Sequence, residues 1–201
     1  KNIEVMKGPA ASLYGNASGG VISIYTLDNF DKSYINAGMS FGSYQFQQFQ
    51  SSVGFNSGKN SFIIQGTKTN TDGYRVQSGF KNDNINLRMR HLFSDNTSLN
   101  VHINYTDSPY AGDAGGLTLE EVKDNRRQAR SRNLEFKTKE SIDQFKTGAS
   151  FNHRWNQSSV DTYGFYSSRN FYGLLPFEFG GIVDLGRNYY GFGSTYTISV
   201  S

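Results

Sequence analysis

The sequence contains no cysteine, and only 3 of its 201 residues are proline. Without cysteine, a disulfide framework and a thiolate metal site are excluded. No apolar run approaches the ~18 residues that a membrane-spanning helix needs. The net charge of +3 is small and dispersed along the chain, so a nucleic-acid partner is not expected.

A signal peptide is also missing, because no basic and apolar tract precedes the opening "KNIEVMKG". This opening already looks like a strand. We therefore expect the chain to be a fragment whose true N-terminus, with any targeting signal, lies upstream.

Aromatic residues and glycine are abundant instead. The chain holds 13 tyrosines, 16 phenylalanines and 22 glycines, and its mean hydropathy is −0.58. Asn, Ser, Gln and Thr are frequent where a soluble core of this size would usually carry aliphatic residues. This balance is typical of a sheet with one apolar face and one solvated face.

Apolar and polar residues alternate with period two through most of the chain beyond its N-terminal stretch. In "SLNVHINYT", Leu99, Val101 and Ile103 share one face. Asn100 and His102 lie on the opposite face. A tight hairpin turn, "SDNT", joins this segment to the alternating "NINLRMRHLF" before it. Eight such segments are predicted strands: residues 33–41, 49–55, 61–68, 84–93, 98–106, 144–155, 160–169 and 188–199.

The connections between these segments alternate in length. From the second connection onward, short turns are followed by long loops. That wiring is typical of a transmembrane antiparallel β-barrel, with tight periplasmic turns on one rim and large extracellular loops on the other. A soluble β-sandwich also alternates along its strands, but its loops do not usually alternate in length so regularly. The sequence therefore predicts an all-β fold of the transmembrane barrel class.

Near the N-terminus, the glycine-rich stretch "KGPAASLYGNASGGVISIYT" raises the question of a phosphate site. A phosphate loop needs a lysine and a hydroxyl residue directly after its last glycine, at the start of a helix. Here Gly20 is followed by the strand-like "VISI". A dinucleotide turn also fails, because the glycines follow no strand and open no helix. What remains is a short helical turn, residues 9–15, and a glycine-rich bend that leads into a strand.

The same stretch resembles the end of the plug domain in TonB-dependent outer-membrane receptors. The residues that carry the resemblance are Ile3-Glu4-Val5, Lys7-Gly8-Pro9, Ser12-Leu13-Tyr14-Gly15, Gly19-Gly20-Val21-Ile22 and Ile24. Such receptors are 22-stranded barrels whose lumen is filled by an N-terminal plug. The resemblance implies that residues 1–27 are the C-terminal part of the plug. Residues 28–201 would then form about the first eight strands of the barrel.

The plug motif is expected to hold the plug in place. The resemblance assigns this docking role to Glu4, Lys7, Gly8, Pro9, Tyr14, Gly15, Gly19 and Gly20. Lys7 stands where the family usually has an arginine that pairs with glutamates of the barrel. Lysine keeps the charge but loses the bidentate fork, so we expect a weaker or differently shaped latch. The glycines would permit close backbone approach and sharp bends.

The longest connection, residues 107–142, looks like the third extracellular loop of such receptors. Thr118 can cap a short helix, and Glu121 completes a capping box. The arginines that follow this helix are Arg126, Arg127, Arg130 and Arg132. Guanidinium groups suit an anionic ligand, such as an iron chelate, or lipid phosphates. In the other interpretation the loop is merely solvated, and its arginines pair with acidic neighbours: Glu120, Glu121, Asp124 and Glu135.

Other candidate residues are fewer. Tyr74, Arg75 and Phe177 lie in the neighbouring long loops, where they either contact a ligand or pack loops together. The histidines are isolated on strands, and no pair has ligand spacing, so no metal site is expected. No catalytic residue is predicted, because the paired acids of the third loop are typical of a helix start rather than of acid–base chemistry.

The resemblance implies active transport of a ferric siderophore or another iron chelate, without a cofactor. TonB, with its inner-membrane energising proteins, would contact residues upstream of this chain. The expected location is the outer membrane of a Gram-negative bacterium, with outer-membrane lipid around the barrel. The alternative is a small self-contained eight-stranded barrel with a structural or adhesive role, although its lumen would be too narrow for the plug remnant.

Overall fold

The computed structural model describes residues 2–8, 19–25 and 30–199. The chain divides into two compact units, residues 1–32 and residues 33–201. The described strands form two sheets, one of two strands and one of eight.

The first unit contains a β-hairpin. β1 (Asn2–Lys7) pairs antiparallel with β2 (Gly20–Tyr25). Gly20 has a φ of +132°, and a Cβ at this position would lie 2.5 Å from the carbonyl oxygen of Met6. Only glycine fits so close to the neighbouring strand. The helical turn predicted at residues 9–15 lies outside the described residues.

The second unit contains a single antiparallel sheet. Its strands are β3 (Tyr34–Gly42), β4 (Phe46–Asn56), β5 (Asn60–Thr71), β6 (Phe80–Ser94), β7 (Thr97–Gly112), β8 (Lys139–Trp155), β9 (Ser158–Leu174) and β10 (Ile182–Ile198). Each strand pairs with its neighbour in sequence, and β3 and β10 form the edges of an open sheet. With 68% of the residues in strands and 7% in helices, the predicted all-β antiparallel class is confirmed.

Short turns and long connections alternate along this sheet. On one rim, the turns are residues 57–59, 95–96 and 156–157. On the other rim, the connections are residues 43–45, 72–79, 113–138 and 175–181. Residues 95–96 form the hairpin turn that "SDNT" predicts. The sheet therefore has the wiring of an outer-membrane barrel.

The strands extend further toward the long loops than the sequence predicts. β7 ends at Gly112 and β8 begins at Lys139, so the third loop spans residues 113–138 rather than 107–142. Asp107 still lies opposite Asp143 in the ladder. The alternation of apolar side chains ends before the strands do. The ladder of backbone hydrogen bonds does not depend on apolar side chains, so the strands continue beyond that point.

Cross-strand pairing divides the side chains of the large sheet into two faces, because directly opposite residues share a face. One row across β3–β8 consists of Ile35, Val53, Ile64, Leu87, Ile103 and Thr147. The next row, on the opposite face, consists of Asn36, Ser52, Gln65, Asn86, Asn104 and Lys146. The sheet thus has an apolar face and a polar face, as the alternation predicts.

Aromatic rings on the apolar face gather at two levels. Near the short turns, the paired rings and their centroid distances are Phe55–Phe62 at 5.2 Å, His91–Phe93 at 4.5 Å, His153–Trp155 at 5.2 Å and Trp155–Tyr196 at 5.8 Å. Nearer the long loops, the ring of Phe145 lies 6.5 Å from that of Tyr166. Phe145 and Trp155 are ten residues apart on β8. That separation is about 33 Å along a strand and, at a tilt of ~40°, about 25 Å in height, which matches the apolar band of membrane barrels.

Two helices lie in the third long loop. They are α1 (Leu119–Asn125) and α2 (Ser131–Glu135). Among the described residues, no helix is long and apolar enough to cross a membrane.

Candidate functional site

The helix predicted in the third long loop is present with its cap. The Thr118 N–H donates to Glu121 Oε2 at 2.7 Å, and the Thr118 hydroxyl accepts from the Glu121 N–H at 3.3 Å. The capping box is therefore complete. The Glu121 carboxylate, one of the acidic partners considered for the arginines, is used at this cap.

Arg75 joins the second long loop to the third. Its Nε donates to the carbonyl of Gln128 at 2.9 Å. Its Nη1 and Nη2 donate to the carbonyls of Gly115 at 2.6 Å and Ala114 at 3.0 Å. Bonds from a guanidinium are stronger than those between neutral groups. Three of the five N–H donors of Arg75 are therefore committed to positioning the third loop, and a direct role in ligand binding stays a prediction.

Gln77 makes a second connection between the same loops. Its Nε2 lies 2.6 Å from the Asn133 carbonyl and 3.1 Å from Thr138 Oγ1. Asn133 and Thr138 are only 1% and 0% exposed. Asn133 Nδ2 donates in turn to Thr138 Oγ1 at 3.0 Å and to Asp113 Oδ2 at 2.9 Å. A buried polar network of this kind makes the loop rigid.

Arg127 contacts both of the preceding connections. Its guanidinium carbon lies 5.0 Å from the ring centre of Tyr44, and its Nε donates to the carbonyl of Tyr74 at 3.2 Å. The rings of Tyr44 and Tyr74 pack edge to face at 5.4 Å. The Val76 N–H donates to the Arg127 carbonyl at 2.8 Å. We call this assembly the loop layer; it comprises residues 43–45, 72–79 and 113–138.

The four arginines predicted to bind an anion have different surroundings. Arg127 is held in the loop layer, Arg126 follows α1 as its C-cap residue, and Arg130 precedes α2 as its N-cap residue. The guanidinium of Arg132 lies 5.7 Å from the ring centre of Phe136. All four are exposed, and within the described ranges none forms an ion pair with a carboxylate. The acidic neighbours of the solvated-loop interpretation thus form no ion pair with these arginines.

Two predicted aromatic contacts also lie on the long-loop rim. Phe177 belongs to the connection 175–181, in which the Leu175 N–H donates to the Gly181 carbonyl at 2.7 Å. The side chain of Phe177 is 54% exposed and that of Tyr74 is 42% exposed. Both rings therefore present apolar surface.

The predicted docking motif is described in part. Five of its residues lie in or beside the hairpin of the first unit: Glu4, Lys7, Gly8, Gly19 and Gly20. Three lie outside the described residues: Pro9, Tyr14 and Gly15. Gly8 has a φ of +99°, a conformation that favours glycine. The docking role itself stays a prediction.

The polar face of the sheet carries a ladder of side-chain amides that the sequence analysis does not identify as a site. Asn104 Nδ2 donates to Asn86 Oδ1 at 2.9 Å, and Asn86 Nδ2 donates to Asn84 Oδ1 at 2.5 Å. Asn84 Nδ2 then donates to Thr106 Oγ1 at 2.7 Å. A cavity of about 360 Å³ lies beside this ladder. The sequence signal is the recurrence of Asn and Gln at alternate positions of neighbouring strands.

No family model matches this chain, but solved structures share its fold, among them a transporter and a siderophore receptor. The unliganded ferric citrate transporter FecA has a TM-score of 0.75 and 22% identity, over 96% of this chain and 30% of that chain. The siderophore receptor PirA from Acinetobacter baumannii has a TM-score of 0.58 and 16% identity, over 96% and 31% of the two chains. The chain has the fold of a segment of a TonB-dependent receptor. It spans less than a third of the length of either structure.

The receptor fold assigns a surrounding to each face of the large sheet. In barrels of this class the apolar face meets lipid and the polar face lines the lumen. In such barrels the rim with long connections is the extracellular one.

Proposed function

We propose that this chain is part of an outer-membrane receptor that imports an iron chelate, most specifically a ferric siderophore, with energy supplied through TonB. The fold supports this proposal, because FecA and PirA, two structures with the same fold, are named for ferric citrate transport and siderophore reception. In this proposal, residues 1–27 end the plug and residues 28–201 begin the barrel of a Gram-negative outer-membrane protein. Neither a catalytic residue nor a cofactor has a part in it.

The loop layer is the observation that carries the proposal for the ligand. Arg126, Arg130 and Arg132 stand exposed on a scaffold that Arg75 and Gln77 hold by hydrogen bonds. A cationic surface that is already ordered loses little conformational entropy when it binds. Complementary charge also accelerates encounter with an anion. An anionic ferric chelate fits such a surface.

A self-contained eight-stranded barrel is the second candidate. Such a barrel must pair its first strand with its last. Within the described part of the chain, β3 and β10 are the edges of the sheet and pair only with β4 and β9. This observation favours a larger barrel completed by further strands.

Uptake of radioactive iron by cells that lack the gene tests the proposed function. We expect the full-length gene to restore uptake of at least one ferric chelate, and inactivation of TonB to abolish that uptake. Uptake that persists without TonB, or none from a broad panel of chelates, would contradict the proposal.

Lys7→Ala is expected to loosen the plug in the full-length receptor. In the proposal, Lys7 pairs with acidic residues on barrel strands beyond this chain, and a charge left unpaired inside a protein-filled lumen is costly. Passive entry of large antibiotics should therefore rise, which growth inhibition assays measure. Lys7→Arg is the matched control and should keep or tighten the seal, because it restores the bidentate fork. Unchanged leak and uptake in Lys7→Ala would count against the latch.

Replacing Arg126, Arg130 and Arg132 by alanine is expected to slow association of an anionic chelate. At low ionic strength the effect should be on the order of tenfold. It should shrink at high salt, because exposed charges are screened beyond about 8 to 10 Å. Stopped-flow association at two salt concentrations measures this difference, and barrel assembly should be intact. Equal rates for wild type and variant at low salt would show that these arginines are merely solvated and do not capture the ligand.

A further inference from the structure

Small side chains leave a groove on the apolar face of β3–β6. Ala37, Ser51 and Gly66 lie opposite one another in a single row, and the row continues to Ile85. A cavity of about 490 Å³ lies along these residues. Because neighbouring strands are about 4.8 Å apart, the row is about 14 Å long. We call this feature the small-residue groove.

Gly66 is the deepest point of the small-residue groove. A Cβ built on Gly66 would meet only Ser51 Oγ within 4 Å, at 3.6 Å. Neighbouring atoms therefore do not require glycine here, and its absent side chain leaves open space. Met39 and Phe49 lie opposite each other on the long-loop side of the row and form one wall of the groove.

The small-residue groove runs obliquely across the apolar band. Phe62 of β5 and Phe93 of β6 both belong to the aromatic level near the short turns. Phe62 nevertheless lies opposite Met89, four residues before Phe93. A row of paired residues therefore descends toward the short turns from β6 to β3, as expected for tilted strands.

The upper end of the small-residue groove lies at the membrane interface. Asp83 is ten residues from Phe93 on β6, or about 33 Å along the strand. Asp83 is therefore near the aromatic level on the side of the long loops. Its neighbour Lys68 lies two residues from Gly66 on the same face of β5. An extended chain in the groove would start at this charged level and enter the apolar band.

Three aspartates lie side by side at this level. Asp83 lies opposite Asp107, and Asp107 lies opposite Asp143. Asp83 forms an exposed ion pair with Lys68, at 3.0 Å, and Asp143 accepts a hydrogen bond from the Tyr105 hydroxyl at 2.6 Å. Asp107 forms no ion pair among the described residues. Since like charges directly opposite each other destabilise a sheet, this row favours a cation beside Asp107.

The charges around the three aspartates favour a zwitterionic headgroup over an anionic one. Lys81 and Lys139 lie on the same face, two residues from Asp83 and four from Asp143 along their strands. With Lys68, these lysines balance the three aspartates. A phosphate can therefore approach Lys68 only if a positive group accompanies it to Asp107. A headgroup that brings only negative charge would be repelled by that carboxylate.

We propose that the small-residue groove holds an acyl chain of a glycerophospholipid whose headgroup is ethanolamine. The phosphate contacts Lys68, and the ammonium group contacts Asp107. Lipid surrounds this face in any case, so the hydrophobic effect gives no preference for one lipid. The groove fixes the position of the chain by close packing, and the charges above it select the headgroup. The inference goes beyond chelate transport and needs only the barrel fold.

The test measures lipid binding to the purified, delipidated full-length protein by native mass spectrometry. The probes are phosphatidylethanolamine and phosphatidylglycerol with identical acyl chains, so that only the headgroup differs. For wild type, we expect the dissociation constant of phosphatidylethanolamine to be about tenfold lower, a difference of ~1.4 kcal/mol.

Gly66→Leu tests the groove. Leucine would fill the open space, so we expect the dissociation constants of both lipids to rise about tenfold, again ~1.4 kcal/mol. Barrel assembly should be intact, because an apolar side chain at a lipid-facing position has no cost. Gly164→Leu is the matched control. Gly164 lies on the same face, opposite Ala149 and Phe192, and a Cβ there would meet nothing closer than 3.7 Å.

Asp107→Asn tests the headgroup separately from the chain. The variant keeps the size of the side chain and removes the carboxylate that the ammonium group contacts. We expect the affinity for phosphatidylethanolamine to fall to that for phosphatidylglycerol, whose own affinity should not fall. Thermal unfolding gives an independent readout, because phosphatidylethanolamine should stabilise wild type more than either variant.

The remaining outcomes would contradict the inference. They are equal or stronger binding of phosphatidylglycerol by wild type, and binding that Gly66→Leu leaves unchanged. Tight binding of the anionic lipid that requires magnesium would show that a divalent cation, and not an ammonium group, balances the aspartates. A dimer that Gly66→Leu dissociates would identify a second copy of the chain as the occupant. None of these measurements depends on iron uptake, so failure of the proposed function would be seen separately.

Discussion

Val101→Lys is expected to lower the stability of the barrel in a membrane by about 2 to 4 kcal/mol, the cost of a lysine that faces lipid near the midplane. Val101 lies opposite Met89 and Ala149 on the apolar face. Ala149 is four residues from Phe145 and six from Trp155, so this row lies about midway between the two aromatic levels. Urea titration of the full-length protein in lipid vesicles measures the loss.

Ser150→Lys is the matched control for this prediction. Ser150 is adjacent to Ala149 on β8, points to the polar face, and lies opposite Asn100 and Tyr163. The sequence alone suggests Asn100→Lys, but Asn100 lies opposite Arg90, so a lysine there would add like-charge repulsion. If Val101→Lys and Ser150→Lys were equally stable, the assignment of Val101 to the lipid-facing side and Ser150 to the lumen-facing side would be wrong.

The register of β6 and β7 could be predicted from sequence because each strand has one apolar and one polar row. Leu87 and Ile103 lie opposite each other on the apolar face, and Asn86 and Asn104 on the polar face. The turn at residues 95–96 also carries its own signal, in the residue types of "SDNT". Local patterns therefore predict local structure where one face differs sharply from the other.

β10 shows where this pattern is insufficient. Tyr189 and Tyr190 are consecutive, so both faces of the strand carry an aromatic ring and the alternation does not distinguish them. Pairing with β9 shows which tyrosine lies on which face. Tyr189 lies opposite Ser167 on the polar face, and Tyr190 lies opposite Tyr166 on the apolar face. Such information comes from the neighbouring strand and not from the segment itself.

The sequence predicts only part of the loop layer, the helix α1. The capping box of α1 is encoded within four residues, Thr118 to Glu121, and was predictable for that reason. α2 has only five residues, and its N-cap residue makes no side-chain cap bond, so it has no comparable signal. The bonds of Arg75 join residues 39 to 53 positions apart in sequence. Hydrogen bonds over such a separation depend on how the strands bring the two loops together, so no local sequence pattern predicts them.

Arg75→Ala is expected to open the loop layer. The variant leaves three carbonyls of the third loop, at Ala114, Gly115 and Gln128, without their guanidinium donor. Hydrogen bonds to charged groups contribute about 1.5 to 3 kcal/mol each. Because such contributions are not additive, we expect a local loss of about 3 to 5 kcal/mol. Hydrogen exchange at the amides of residues 113–138 should accelerate, while exchange in β4–β9 stays slow.

Two further variants separate the position of Arg75 from its charge. Arg75→Lys keeps the charge but cannot reach three carbonyls at once, so exchange should still accelerate, though less than in Arg75→Ala. Arg126→Ala removes an exposed arginine of the same loop that forms no ion pair and no cation–π contact among the described residues, and should leave exchange unchanged. Trypsin gives a second measure, because opening would expose the bonds after Arg126 and Arg127 to cleavage. Unaltered exchange at Asn133 and Thr138 in Arg75→Ala would show that the bonds of Gln77 hold this part of the layer without Arg75.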